Sequence, residues 1–376
     1  EYLEERSNEI GKKIDELEIE ITKIAGEKFN LNSSQQLAVI LFDKLQLPMI
    51  KKRSTAEAVL KDLENKHPLP MLILQYRKLY KLKNTYLDPL PLSIISSTGR
   101  VHSSFNQTMT ATGRLSTSSP NFQNIPIRTE DGKEVRKAIR ARSDKYQIFS
   151  ADYSQVELRV MAHLSGDESL ILALNNGEDI HTFTAKNIFN VDNDEKVLPE
   201  MRRIAKIVNF GIMYGAGPFR LSQELDVPFN EAKQIKDAYF NKYKGIERYI
   251  ETSKKHIKES KSVETLLGRK RAVWDSDSQN KIRRDAAERM AINMPIQGTA
   301  AEMIKLAMIK IHRIIKKENL KSMLIMQIHD ELLLEVHEDE LDYITKIVVE
   351  NMKNAMKLDV PIEIDFGSGP SWYEAH

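Results

Sequence analysis

The chain has 376 residues, of which 41% are hydrophobic and 29% are charged, so it has material for about two or three domains and is not a disordered polypeptide. Cysteine is absent, which excludes disulfides, thiolate zinc sites and a cysteine nucleophile. No apolar run approaches the ~18 residues that span a bilayer, and no signal pattern opens the chain, so we expect no membrane association. The first residue is Glu1 rather than methionine, so we expect a fragment of a longer parent whose N-terminal domain or domains are missing.

The net charge of +2 makes no case for a particular partner, but the charges are unevenly distributed. Residues 201–300 carry 20 basic and 12 acidic side chains, whereas residues 331–376 carry 3 basic and 11 acidic ones. The first region can attract polyanions, and the second can hold divalent cations. Two solvated helix faces of opposite sign explain the same pattern, and charge alone favours that simpler explanation.

The first hundred residues have a helical pattern of apolar positions. In chain order, the predictions are a helix through residues 10–21, a helix capped by Asn32 or Ser33, a helix capped by Ser54 and ending near residues 66–70, and a helix over residues 71–82.

Residues 88–128 are rich in Pro, Ser, Thr, Asn and Gln, and we predict loop and short strands there. Loops of this length in compact domains are often functional. The later predictions are a strand over residues 146–152, mainly helix from 154 to about 318, a hairpin over residues 323–336 with its polar tip at residues 329–330, a helix over residues 341–356 and a strand over residues 361–366.

Asp152 ends a predicted strand and precedes a predicted helix. Ser154 and Glu157 fit the S-x-x-E capping box that starts such a helix. A carboxylate at this junction can be held rigidly yet stay open to a cleft, which suits a metal ligand. Ordinary turn hydrogen bonding by Asp152, with the capping box alone for Glu157, is the alternative.

Two acids follow a histidine at the predicted hairpin tip, as His329, Asp330 and Glu331. Aspartate is also common at hairpin tips for conformational reasons. Here the flanking apolar strands should be buried, and unpaired buried carboxylates are costly, so the acids should face something charged. Carboxylates from two separate strands suit Mg²⁺, which prefers oxygen ligands and shares its shell with phosphates.

A helix is predicted over residues 201–215. Every fourth position on one face carries a cation or an aromatic ring, in the order Arg202, Lys206, Phe210 and Tyr214. Cations can hold phosphates and aromatics can stack on a base or sugar. An amphipathic helix with snorkelling cations and core aromatics is the alternative. Gly211 and Gly215 count against it, because they cost helix stability and indicate a close approach or a hinge.

Together these segments resemble family A DNA polymerases of the bacterial DNA polymerase I type, over nearly the whole chain. Three segments are similar to the family's motifs A, B (R-x3-K-x3-F-x3-YG) and C, at residues 152–159, 202–215 and 327–331. Two further family signatures match at residues 112–116 with 120–126 and at residues 289–298. Five motifs in the family's order leave little room for chance.

The resemblance implies an α+β fold, the right-hand polymerase fold with an antiparallel-sheet palm, helical fingers and a helical thumb. By this similarity the thumb comprises residues 1–98, the palm residues 99–165 and 299–376, and the fingers residues 166–298.

The implied activity is template-directed DNA synthesis, in which a primer 3′-hydroxyl attacks the α-phosphate of a dNTP and pyrophosphate leaves. Asp152 and Asp330 would be the metal-binding catalytic pair. The backbone carbonyl of Tyr153 would add a ligand, and Glu331 would support the site. The implied cofactor is a pair of Mg²⁺ ions roughly 3.5–4 Å apart, for which Mn²⁺ can substitute.

The residues implied to bind the dNTP are Gln155, Glu157, His181, Arg202, Lys206, Phe210 and Tyr214. His181 and the two cations would hold the triphosphate, and Lys206 is also the candidate catalytic proton donor to pyrophosphate. Phe210 would pack on the sugar and base, and Tyr214 would hold the template-base position until the fingers close. Glu157 would block a ribose 2′-hydroxyl.

The implied partners are primer–template DNA and dNTPs. Arg114 and Gln297 match family residues that donate to minor-groove acceptors, which carry little base identity. The remaining candidate DNA contacts are Asn121, Gln123, Asn124, Arg289, Asn293 and His329. A purely structural role is an equal alternative for most of these.

The resemblance also sets the expected scope of the chain. We expect a monomer without a proofreading exonuclease. A bacterial host would place it in the cytoplasm at the nucleoid, and an organelle or phage origin stays open.

Two other classes of function remain as alternatives. A metal-dependent phosphohydrolase would use residues 329–330 with His181 or His163. A non-catalytic DNA-binding remnant would have lost its carboxylates, yet Asp152 and Asp330 are both present.

Overall fold

The computed structural model describes residues 1–125, 130–192 and 196–376. The chain divides into two compact units. Unit 1 is Glu1–Ser104 with Thr117–Ile139, and unit 2 is Phe105–Ser116 with Arg140–His376. Pro126, which belongs to one sequence signature, lies outside the described residues.

Unit 1 is predominantly helical. Its α-helices are α1 (Tyr2–Ala25), α2 (Ser34–Ala38), α3 (Glu57–Leu63), α4 (Pro68–Leu82), α5 (Pro89–Leu92) and α6 (Glu130–Ala138). Two π-helical segments extend α2 and α4, over Val39–Lys44 and Lys83–Leu87, and strands β1 (Ile94–Ile95) and β2 (Arg100–Val101) pair antiparallel. Fully buried apolar side chains of the helices form its core, among them Leu37, Leu60, Leu69 and Ile73.

The four helices predicted before residue 83 are confirmed, but one predicted cap is wrong. Ser33 caps α2, because its hydroxyl accepts the Gln36 N–H at 3.3 Å. Ser54 does not cap α3, which begins at Glu57 after Ala56. The Ser54 hydroxyl instead accepts the Ala56 N–H at 3.3 Å and closes a turn, so that the helix starts later than predicted.

The boundary between α3 and α4 also differs from the prediction. The helix expected to end near residues 66–70 ends at Leu63. His67 caps α4, since its Nδ1 accepts the Leu69 N–H at 3.2 Å, and Pro68 takes the first helical position, where its missing N–H costs nothing.

Unit 2 combines a four-stranded sheet with ten helices among its described residues. The helices are α7 (Val156–Ser165), α8 (Glu168–Asn175), α9 (Ile180–Phe189), α10 (Pro199–Met213), α11 (Pro218–Leu225), α12 (Phe229–Lys242), α13 (Lys244–Ser260), α14 (Lys281–Lys317), α15 (Leu341–Lys353) and α16 (Trp372–Ala375). Its strands are β5 (Tyr146–Tyr153), β6 (Ser262–Glu264), β7 (Lys270–Ala272), β8 (Met323–Ile328), β9 (Glu331–His337) and β10 (Ile364–Gly369). The two earlier strands, β3 (Ser104–Asn106) and β4 (Ser116–Ser118), contain residues of both units.

The sheet of unit 2 has the strand order β10-β5-β9-β8, and every neighbouring pair is antiparallel. Helix α15 packs on β5, β9 and β10, and α14 packs on α7 and α15. Strand residues such as Phe149 and Leu332 therefore belong to one core with Ile344 and Val348 of α15. Because β5 ends where β9 begins, both strands present their polar ends at one edge of the sheet.

Most predictions in unit 2 are confirmed, including the strand at β5 and the β8–β9 hairpin with its tip at His329 and Asp330. The last strand is observed at Ile364–Gly369 rather than at residues 361–366. The β6–β7 hairpin is an addition, because it lies within the stretch predicted to be mainly helical. The α+β class is confirmed. No helix of the described ranges has both the length and the apolar content needed to cross a membrane.

Candidate active site

The predicted carboxylates meet at one edge of the sheet in unit 2. Asp152, near the end of β5, lies opposite Glu331, the first residue of β9. The N–H of Tyr153 donates to the carbonyl oxygen of Asp330 at 3.2 Å, which ties the end of β5 to the hairpin tip. Two rigid strands thus bring Asp152 and Asp330 together, as the sequence predicts.

The charges at this edge repel one another. Burial, together with the negative charges of the neighbouring Asp330 and Glu331, raises the pKa of Asp152 to about 7. Burial also raises the pKa of Asp330, although Arg114 opposes that shift. Each shift reports a negative charge that lacks sufficient positive charge nearby, which a bound cation would supply.

One carboxylate oxygen of Glu331 accepts two hydrogen bonds, and the other has no partner among the described residues. Its Oε1 accepts hydrogen bonds from the Ser150 hydroxyl at 2.6 Å and from the indole N–H of Trp372 at 2.8 Å. Its Oε2 is buried and has no hydrogen-bond partner among the described residues. Carboxylate oxygens of this kind are the donors that a hard cation prefers, so the residues fit Mg²⁺.

Side chains alone do not complete a metal site in the part of the chain that the structure describes. No group of three or more His, Asp or Glu residues there is arranged to hold a metal ion. Any ion at the sheet edge would therefore take further ligands from backbone carbonyls, water or a bound substrate, as Mg²⁺ commonly does.

Glu157 links three segments of unit 2. It lies in the first turn of α7 and is 6% exposed. Its carboxylate accepts hydrogen bonds from the Tyr214 hydroxyl and from the Arg114 guanidinium. Burial, reinforced by Glu157, raises the pKa of Tyr214, so the phenol stays protonated and donates.

The predicted capping box at this helix is wrong. Helix α7 begins after Gln155, which has the left-handed φ of 52° and makes no side-chain cap, so Ser154 is not the capping residue. Glu157 cannot return to the helix terminus because both its oxygens bind other side chains. The amide Oε1 of Gln155 is buried without a hydrogen-bond partner in the described ranges, so Gln155 is a candidate for an external ligand.

The basic and aromatic stripe is present on α10. Arg202 binds Asp179 through two hydrogen bonds of 2.7 and 3.1 Å, and its side chain is 47% exposed. Lys206 follows one turn later, and the Phe210 and Tyr214 rings stack at 6.3 Å between centroids. Although burial opposes it, hydrogen bonding from Arg202 lowers the pKa of Asp179 to about 2.

His181 of α9 is buried against this stripe. It is 3% exposed, and its Nδ1 lies 3.1 Å from the amide Nδ2 of Asn209. Burial lowers the pKa of His181 to about 4, with the two cations of α10 adding to the shift and Asp179 opposing it. An amide donor at Nδ1 implies that the ring proton is on Nε2, so neutral His181 can donate a hydrogen bond from that side.

The two glycines of the stripe mark close approaches, as predicted. A Cβ on Gly211 would lie 2.9 Å from Cδ2 of Leu221 on the next helix. Gly215 has φ of 73°, and a Cβ there would lie 2.9 Å from Cγ of Arg289 on α14. The end of α10 can therefore rest on α14 only because this side chain is missing.

The predicted DNA contacts of unit 2 occupy α14 and two loops. Arg289, Asn293 and Gln297 recur every fourth residue on α14 and are partly buried. The Oδ1 of Asn293 is buried and has no hydrogen-bond partner within the described ranges. Arg114 follows the turn at residues 110–113, and His329 is exposed at the hairpin tip with φ of 51°.

The other three predicted DNA contacts belong to unit 1. Asn121 accepts a hydrogen bond from the Thr117 hydroxyl at 2.9 Å, and the same hydroxyl accepts the Gln123 N–H at 3.3 Å. The carbonyl oxygen of Asn124 accepts the Tyr86 hydroxyl at 2.6 Å. These hydrogen bonds give each residue a role in holding its loop.

A family model for DNA polymerase family A matches residues 1–374. The chain belongs to DNA polymerase family A. Among curated relatives, it is 49% identical over 379 residues to the thermostable DNA polymerase I of Thermus filiformis, covering 99% of this chain and 45% of that protein. It is 46% identical over 377 residues to DNA polymerase I of Bacillus subtilis, covering 99% of this chain and 43% of that protein.

A solved structure of this family has the same fold. It is the polymerase domain of Pol1 from M. smegmatis in complex with a DNA primer–template and a dNTP, at 42% identity and a TM-score of 0.94. The match covers 100% of this chain and 66% of that one, and it confirms the polymerase fold. The chain spans slightly less than half the length of the curated relatives described above.

Sequence reasoning missed three residues that shape this family A site. The only sequence signal for Asp179 is that aspartate is a common N-cap residue, and it caps α9 by accepting the Thr182 N–H. Asn209 is a polar residue among the buried apolar positions of α10. This interruption of the apolar pattern is a signal that the sequence does contain. Trp372 gives no sequence signal for its contact with Glu331, because that hydrogen bond depends on the tertiary structure.

The histidine cluster that a phosphohydrolase requires is not formed by the residues that the structure describes. His163 lies 2.8 Å from the Asp359 carboxylate, whereas His181 is buried against Asn209. Neither arrangement joins a histidine to Asp330, so the described residues do not support this alternative.

Proposed function

We propose that this chain is a template-directed DNA polymerase that adds deoxynucleotides to a primer 3′-hydroxyl and releases pyrophosphate. The observation that carries the proposal is the meeting of Asp152 and Asp330 at one sheet edge, with the pKa of Asp152 raised to about 7. The names of the relatives support it, as does the primer–template and dNTP in the similar M. smegmatis structure.

The carboxylates and the backbone carbonyl of Tyr153 would hold two Mg²⁺ ions, and the same oxygen donors would accept Mn²⁺. When bound, Mg²⁺ favours ionisation of the primer hydroxyl and stabilises charge on the leaving oxygen. Asp152, near the end of β5, and Asp330, at the tip of the β8–β9 hairpin, would supply the carboxylate ligands. Glu331 would support them, with its Oε1 fixed by Trp372 and its buried Oε2 without a hydrogen-bond partner among the described residues.

Arg202, Lys206 and His181 would bind the triphosphate. The Arg202–Asp179 pair is partly exposed, so Arg202 can exchange one anionic partner for a phosphate at small cost. Neutral His181 would donate from Nε2 to a phosphate oxygen. Lys206 would neutralise the leaving group and give it a proton, which is the general-acid role in this reaction.

The sugar and base of the dNTP would pack against Phe210, next to Tyr214 and Gln155. Glu157 would meet the sugar at C2′ and exclude a ribose hydroxyl. Its rigidity supports that role, because a carboxylate held by Tyr214 and Arg114 cannot swing aside to make room.

Arg114 and Gln297 would donate to the minor groove of the primer-terminal pair, where acceptors are common to all sequences. The further proposed contacts to duplex or template are Asn121, Gln123, Asn124, Arg289, Asn293 and His329. We also propose that the chain does not excise mismatched primer ends, since the polymerase family model accounts for residues 1–374. We further propose that it acts as a monomer.

The test is extension of a labelled primer–template with four dNTPs and Mg²⁺ by the wild type and by Asp330→Asn. We expect the wild type to extend the primer and the variant to be slower by about 10³-fold, the scale of lost transition-state stabilisation in a preorganised site. Asp342→Asn, which removes an exposed charge in the first turn of α15, is the matched control and should extend normally. Extension by Asp330→Asn at the wild-type rate, or none by a wild type that binds the duplex, would reject the proposal.

A further inference from the structure

The turn between β6 and β7, at residues 265–269, lies between two segments of unit 2. On one side is the loop at residues 112–113, and on the other is α14 at residues 298–302. The turn closes on itself through the Thr265 N–H, which donates to the Arg269 carbonyl at 3.1 Å.

Hydrogen bonds fasten this turn to α14. The Thr265 hydroxyl donates to Oε1 of Glu302 at 2.9 Å and accepts the Arg269 N–H at 3.0 Å. The Leu266 N–H donates to the Thr299 hydroxyl at 3.2 Å. Arg269 adds an ion pair, with its Nε 3.4 Å from the same Glu302 oxygen. Thr265, Thr299 and Glu302 are all buried, so these bonds are shielded from water.

The turn packs closely against two glycines, Gly298 and Gly113. A Cβ on Gly298 would lie 2.4 Å from Cγ2 of Thr265 and 3.3 Å from the Thr112 carbonyl oxygen. Gly113 has φ of 79°, and a Cβ there would lie 2.7 Å from Nε of Arg269. The turn therefore packs on Gly298 where a methyl group would not fit, and the Arg269 side chain packs on Gly113, whose positive φ disfavours any other residue.

The two glycines are the immediate neighbours of the two proposed minor-groove contacts. Gly113 precedes Arg114, and Gly298 follows Gln297. A shift of either glycine moves the backbone of the adjacent side chain. Arg114 transmits its position further, because its guanidinium also donates to Glu157.

We propose that the turn at residues 265–269 is a specificity element, in which Arg269 and Thr265 are positioning residues for Arg114 and Gln297. The turn sets where both side chains meet the minor-groove acceptors of the primer-terminal base pair. Arg269 acts through Gly113 and Thr265 acts through Gly298. This inference rests on the proposed polymerase function.

A direct electrostatic role is the competing explanation for Arg269. Its side chain is 44% exposed, so it could simply attract DNA phosphates. The adjacent Lys270 separates the two explanations. It carries the same charge on the same hairpin, is 73% exposed, and pairs loosely with Glu264 at 4.0 Å. It therefore serves as the matched control for charge without the packing at Gly113.

The experiment compares primers that end in adenine or in 3-deazaadenine, which has C–H in place of the N3 acceptor. The wild type should extend the 3-deaza terminus about tenfold more slowly, the effect of losing one charge-assisted hydrogen bond. In Arg269→Ala this atom-specific penalty should shrink to about twofold, while extension of the normal terminus slows. Lys270→Ala should keep the full penalty.

A second variant approaches the turn from the other side. Thr265→Ser keeps the hydroxyl and removes the Cγ2 that closes on Gly298, so it should also weaken the penalty without loss of the hydrogen bonds. Thermal unfolding of each variant identifies any that fail to fold, and Thr265→Ser decides the matter if Arg269→Ala does not fold.

The outcomes separate this inference from the proposed function. A full tenfold penalty in both turn variants, or equal loss in Lys270→Ala, overturns the positioning role. If the wild type extends normal and 3-deazaadenine primers at the same rate, the positioning role is also overturned, whereas the proposed polymerase activity is supported. A wild type that extends no primer overturns the proposed function itself.

Discussion

A buried histidine in this protein is kept neutral by its surroundings. His181 is 3% exposed, and burial together with the nearby cations of α10 lowers its pKa from 6.5 to about 4. In the unfolded chain the same ring would titrate near its ordinary value. The difference between these two values makes the stability of unit 2 depend on pH.

The sign of this dependence follows from proton binding. Between about pH 6.5 and pH 4 the unfolded chain binds a proton at His181 that the folded chain does not, so acidification favours unfolding. At pH 5 the lost stability is about 2 kcal/mol relative to pH 7. We expect the unfolding free energy of the wild type to exceed that of His181→Gln by more at pH 7 than at pH 5.

Denaturant unfolding of both proteins at each pH measures this difference. His312→Gln, which replaces an exposed histidine on α14, should show no change in the gap between pH 7 and pH 5. A gap for His181→Gln that is independent of pH would contradict the assignment of a neutral, buried ring.

At the scale of an element, the end of α10 depends on a single missing side chain. Gly215 has a φ of 73°, and a Cβ at this position would lie 2.9 Å from the Cγ of Arg289. An alanine would adopt an unfavourable left-handed backbone and would push on α14 at the same time.

We expect Gly215→Ala to destabilise unit 2 by about 1–3 kcal/mol, from the left-handed backbone cost and the overpacking. Gly217→Ala is the matched control two residues away, because a Cβ at Gly217 meets nothing within 4 Å and its φ is negative. Differential scanning calorimetry should show a lower Tm for the first variant only. Equal Tm values would mean that neither the positive φ nor the contact with Arg289 penalises a methyl group at this position.

The elements could be predicted where local pattern and tertiary structure agree. Strand β5 and the β8–β9 hairpin are apolar runs with a polar end, and both lie where expected. The S-x-x-E pattern at Ser154 failed because Glu157 binds Tyr214 and Arg114, partners that are distant in sequence. A local rule has no means of weighing such competition.

The β6–β7 hairpin could not be predicted for a related reason. Its strands have three residues each, too few to show an alternating pattern. The turn of the hairpin is held by two residues of α14, since Thr299 binds Leu266 across 33 positions and Glu302 binds Thr265 across 37. Likewise, nothing in the sequence near Trp372 indicates that its indole reaches Glu331.

At the scale of the whole chain, the net charge of +2 conceals a separation of sign. The sheet edge carries Asp152, Asp330 and Glu331, and residues 331–376 have an excess of acids, whereas residues 201–300 have an excess of cations. A polymerase needs both, because the acidic edge would hold metal ions and the basic region would neutralise phosphates.

Binding of primer–template should therefore weaken steeply with salt despite the small net charge. If six or more phosphates are contacted, the affinity should fall by about 10³-fold between ~50 and ~200 mM salt. Fluorescence anisotropy of a labelled duplex measures the slope. Asp342→Asn, at an exposed site on α15, should leave it unchanged. A flat dependence would show that the cations of residues 201–300 do not face the backbone of DNA.

The contact between Trp372 and Glu331 gives the molecule an optical property. The protein has two tryptophans, one with its indole buried on the acidic edge and the other, Trp274, 77% exposed. A soluble quencher such as iodide should quench the fluorescence of exposed Trp274 and leave that of buried Trp372 largely unchanged. What remains is light from a chromophore bonded to a carboxylate of the candidate active site, so the arrival of a cation there can be followed in the native protein without any attached dye.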